Sequence, residues 1–71
     1  MTGQEWIARF AEALGMPEPR AEQVEAILQL AGAAAHASER TAAPVACWLA
    51  ATAGLSADEA LVRAERLSRD T

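Results

Sequence analysis

Residues 29–53, QLAGAAAHASERTAAPVACWLAATA, constrain this chain more than any other stretch. They are small and apolar almost throughout, except for a polar corner at residues 36–41 that precedes Pro44. Alanine is the strongest helix former, and the proline fits the first turn of a new helix. The stretch therefore reads as two alanine-packed helices joined at a tight corner. Alanine on several sides of a helix lets neighbouring backbones approach closely, which suits a small all-α body.

The flanking sequence supplies two more helices. Thr2 and Glu5 have capping-box spacing, and Trp6, Ile7, Phe10, Ala11 and Leu14 then recur at helical period. Gly15 is placed to end that first helix, and Pro17 and Pro19 forbid its continuation. Trp6 and Phe10 are expected to anchor a core. Pro19 suits the opening turn of the second helix. Its main apolar stripe is Val24, Ile27, Leu28, Ala31, Ala34 and Ala35, with Ala26, Leu30, Ala33 and Ala37 on the adjoining side. Gly32 is expected to admit a neighbouring backbone. Thr41 is placed to cap the third helix. After Gly54, Ser56 and Glu59 repeat the capping box, with Leu55 in the staple position. The spacing thus predicts four helices, at 3–14, 19–38, 42–53 and 57–69, with the second and third as a central hairpin of one domain, 1–71.

Seventy-one residues make a thin core, and chains of this size commonly need a staple, a metal or a partner. A single cysteine, Cys47, precludes an intrachain disulfide, and no His/Cys cluster has zinc-site spacing. Self-association or docking on another protein is the natural expectation. The net charge of −4 argues against nucleic-acid binding, which relies on clustered cations. A helix-turn-helix reading fails as well, because residues 42–53 offer few donors for base edges. The apolar run 45–51 is far shorter than the roughly 20 residues of a membrane span. The opening MTGQEWIARF lacks the layout of a signal peptide, so a cytoplasmic location is expected.

Chemistry has few candidates. His36 is the one histidine, and Glu39 and Arg40 lie three and four residues on, so the three share one helix edge if the helix persists. They form either a polar docking point or anion contact, or a corner lock in which His36 and Arg40 bond helix-end carbonyls. Ser38 is badly placed to pair with His36, and Cys47 lies in an apolar run that dulls a thiol. No glycine-rich phosphate loop is present, so no enzymatic activity and no cofactor are expected. The third helix carries Val45, Trp48, Leu49 and Thr52 on one face, with Ala46, Cys47, Ala50, Ala51 and Ala53 around the rest. It is therefore either wholly buried or half buried with a face for a partner or a second copy. Glutamate at Ala50 or Ala51 is expected to unfold the domain or abolish an oligomer. The candidate interaction residues are His36, Glu39, Arg40, Pro44, Cys47, Trp48 and Ala51.

Trp6-Ile7 with Leu14-Gly15, then Leu30-Ala31, Ala35-His36, Glu39-Arg40 and Ala42-Ala43-Pro44, and finally Leu49 with Ala53-Gly54, carry a resemblance along nearly the whole chain. It resembles a small bacterial helical domain family of unknown function. That family occurs alone or as a C-terminal extension of molybdenum-cofactor guanylyltransferase-like proteins. Thr41 stands where that family more usually has proline, and Cys47-Trp48 where smaller polar residues are more familiar. The resemblance implies an accessory or interaction module beside a guanylyltransferase. A small anionic-ligand binder and a structural homodimer paired through the third helix are the alternatives.

Overall fold

The computed structural model describes residues 1–70; Thr71, the end of the expected domain, lies outside the described residues. Among these, four α-helices and no strands are found: α1 (Gly3–Ala13), α2 (Ala21–Ala37), α3 (Ala42–Thr52) and α4 (Ala57–Asp70). The all-α architecture agrees with the sequence, and the helix ends agree to within two residues.

Local chemistry explains most of those ends. The Thr2 amide donates to Glu5 Oε1 and the Glu5 amide to Thr2 Oγ1, both at 3.1 Å, which satisfies two otherwise orphaned donors of α1. Ser56 and Glu59 repeat the exchange at the start of α4, at 3.0 and 3.2 Å. The two hydrogen bonds from Ser56 and the nearby Arg63 hold the Glu59 carboxyl below its ordinary pKa. Gly15 and Gly54 take φ values of +70° and +79°, the left-handed conformation in which a helix is turned off. Two helix starts differ from expectation. Pro19 lies ahead of α2, whose cap position is Arg20; the Arg20 amide donates to Gln23 Oε1 at 2.8 Å. Thr41 is itself helical and makes no side-chain cap, so the start of α3 rests on backbone turns, with the Ala42 amide donating to the Glu39 carbonyl.

The α2–α3 hairpin forms as expected, but α2 packs even more extensively against α4. The deepest side chains lie on this body: Ala26 and Leu30 of α2 are each 5 % exposed and Ala60 of α4 is 4 % exposed. The buried side of α2 is thus the stripe through Ala26 and Leu30, whereas Leu28, from the stripe expected to be the main one, is 60 % exposed. Small residues at the seam let α2 and α4 approach closely, and few large side chains become enclosed.

The first helix departs furthest from expectation. No Cα of α1 comes within 8 Å of a Cα in another helix, and Ala11 is its one buried residue. Trp6 and Phe10 are 55 % and 49 % exposed and stack on each other, with ring centroids 4.9 Å apart. They anchor no core because no helix lies close enough to enclose them.

Gly32 also corrects its reading. A Cβ added there would meet nothing within 4 Å, so no neighbouring backbone requires a glycine. Within a helix interior glycine costs about 0.5–1 kcal/mol relative to alanine. Gly32→Ala is therefore expected to raise the unfolding free energy by that amount, read as a higher urea midpoint at unchanged m-value. A destabilised variant would show that a backbone does approach at this point.

Candidate partner-binding surface

The exposed side of α3 and the corner before it are built by the way α3 seats its small residues. Ala43, Ala46, Cys47 and Ala50 recur at helical spacing and are half-buried, and Cys47 Sγ lies 4.0 Å from the Ile27 carbonyl oxygen of α2. With the small side turned inward, the large side chains are left outside. Pro44, Val45, Trp48, Leu49, Ala51 and Thr52 are all exposed, Trp48 at 67 %. The structure therefore groups Pro44, Trp48 and Ala51 on one outward surface and separates Cys47 from them. Hydrophobic residues scattered singly on a surface are unremarkable, but here a tryptophan, a leucine and a valine adjoin along one helix.

The corner is not locked by its charged side chains. Ser38 Oγ donates to the Ala34 carbonyl at 2.8 Å, and the Ser38 amide to the same oxygen at 3.2 Å. The Glu39 and Arg40 carbonyls accept from the amides of Ala42 and Ala43. Among the described residues no hydrogen bond or ion pair involves the side chains of His36, Glu39 or Arg40, which are all exposed; the ion pair found is Arg20–Glu22, at 3.3 Å. Serine and the backbone make the turn, and the charged side chains are left to solvent.

His36 is placed with residues that sequence spacing did not connect to it. It lines an open depression of about 590 Å³ between the end of α2 and the end of α4, with Ala33, Ala37, Glu65, Ser68 and Arg69. Arg40 does not line it. Glu65, Ser68 and Arg69 fall three and four residues apart on α4, a shared-face signal that periodicity carries; their meeting with His36 depends on the α2–α4 packing. No polar or charged side chain among the described residues is buried. No desolvated acid, base or nucleophile is therefore poised in a cleft. Among the described residues no group of three His, Cys, Asp or Glu side chains gathers to hold a metal ion. No helix among the described residues is long and apolar enough to cross a membrane.

No curated protein matches the chain. No solved structure matches it either. The family model for a domain of unknown function does match, from residue 1 to residue 71, and the chain accordingly belongs to the family Domain of unknown function (DUF6457).

Proposed function

We propose that this domain is a non-enzymatic interaction module that docks another protein through the outer face of α3 and the adjoining corner. One observation carries the reading: α3 seats its alanines on α2 and presents Val45, Trp48 and Leu49 to solvent. Aromatic and aliphatic side chains in such a patch supply the desolvated centre of an interface, and Glu39 and Arg40 would stand at its polar rim. A molybdenum-cofactor guanylyltransferase is the candidate partner that the sequence resemblance implies, which would place the domain in the cytoplasm.

The test is an amide NMR titration of the labelled domain with such a guanylyltransferase, with and without GTP. Shifts confined to residues 39–52 on adding the protein are expected, together with their loss in Trp48→Glu. Shifts at His36, Ser68 and Arg69 with GTP alone would replace this reading with an anion-binding domain. A spectrum unchanged by the guanylyltransferase would overturn that partner.

A further inference from the structure

We propose that a second copy of this chain covers the apolar face of α1, forming a two-fold dimer on a surface separate from α3. The first observation is area. The chain exposes 5627 Å², whereas a compact monomer of 7.5 kDa exposes about 4,200 Å² by the usual mass scaling. The excess of about 1,400 Å² per chain corresponds to about 2,800 Å² for a pair, within the roughly 2,000–5,000 Å² buried by obligate homodimers. The Cα radius of gyration agrees in direction, at 12.7 Å against about 11 Å for this length.

The second observation is an unpartnered apolar face on α1, which holds part of that excess, the exposed face of α3 holding another part. At 100° per residue, Trp6, Phe10, Leu14, Ile7 and Ala11 form a continuous face about 140° wide on α1. All except Ala11 are exposed. Beside this face, α1 and the first half of α2 enclose a groove of about 620 Å³, whose apolar lining includes Ile7, Pro19, Val24 and Leu28. Such volumes seat drug-sized molecules and are ample for two aromatic rings.

A two-fold axis makes this arrangement self-complementary. The stacked Trp6–Phe10 pair of each chain is the protruding element, and the groove beside Ile7 of the other chain is the receptor. Each aromatic side chain buries about 150–250 Å² when enclosed, and Trp6 and Phe10 are already about half covered, so the four rings contribute roughly 300–500 Å² and the rest falls to the aliphatic side chains and backbone around them. Charges of both signs border the contact: Arg9 lies beside Trp6 and Phe10, and Arg20, Glu18 and Glu25 line the groove.

Analytical ultracentrifugation from about 1 µM to about 1 mM, the span of ordinary dimer affinities, tests the proposal. Twice the chain mass of 7.5 kDa is expected at the upper end, as is a melting temperature that rises with concentration. Phe10→Glu should return the chain to monomer with its helical circular dichroism largely kept, and Trp48→Glu should leave the dimer intact. A wild type that stays monomeric throughout overturns the proposal. So does a dimer lost in Trp48→Glu and retained in Phe10→Glu, which would assign pairing to α3. In Trp48→Phe, Trp6 is the sole tryptophan, and its emission should move to the blue as concentration rises. Emission that stays at the wavelength of a solvent-exposed tryptophan across the whole range also overturns the proposal, even if Phe10→Glu fails to fold.

Discussion

Leu30→Ala is expected to remove at least a third of the stability of this domain. Among the described residues Leu30 is the one large side chain that is nearly enclosed, at 5 % exposed, the other buried residues being alanines. Truncating a buried leucine costs about 2–5 kcal/mol, the lost transfer free energy plus the cavity left behind. Total stability for a chain of this length is about 4–11 kcal/mol, and a core of so few buried residues places it toward the lower bound. Leu28→Ala provides the matched control. The side chains are identical and sit two positions apart on α2, but Leu28 faces solvent and should cost less than about 1 kcal/mol. Urea titrations followed by circular dichroism check both. Equal costs for the two would mean that the buried side of α2 is misidentified.

What the sequence discloses about this fold is what local chemistry decides. The Thr2–Glu5 and Ser56–Glu59 boxes and the glycines after α1 and α3 act within a few residues, so they place helix ends before any packing is known. Thr41 shows the limit of such signals. A hydroxyl at the right spacing caps only if its own backbone stays extended, and there the turn from Glu39 and Arg40 has already become helical.

Packing was less legible, for a physical reason. Periodicity reveals that a helix has an apolar face; it does not reveal what covers that face. On α1 the period is clear, yet Trp6 and Phe10 remain open. On α2 alanine lies on two sides, so hydrophobicity alone ranks the stripe through Ile27 and Leu28 above the one that is buried. The winning side is selected by α4, whose small Ala60 permits close approach. The same non-local choice brings His36 beside Arg69 instead of Arg40.

The orientation of α3 leads to the second large effect, a contrast between neighbours. Both Ala50→Glu and Ala51→Glu follow from the sequence as disruptive, because α3 is apolar on every side. The packed structure divides them. Ala50 is half-buried on the side carrying Cys47, so a glutamate there must desolvate its charge or force α3 away from α2. A loss of about 1–3 kcal/mol is expected, enough to leave a substantial unfolded fraction in a domain of this size. Ala51 is exposed on the side of Trp48, and its glutamate stays hydrated, so stability should change by less than about 0.5 kcal/mol. Ala51→Glu should nevertheless block a protein partner, since an unpaired charge at the centre of an interface is costly. Thermal melts together with the NMR titration separate the two outcomes. If Ala51→Glu unfolds the domain, α3 is enclosed and the docking surface does not exist. If it folds and still binds, the partner lies elsewhere.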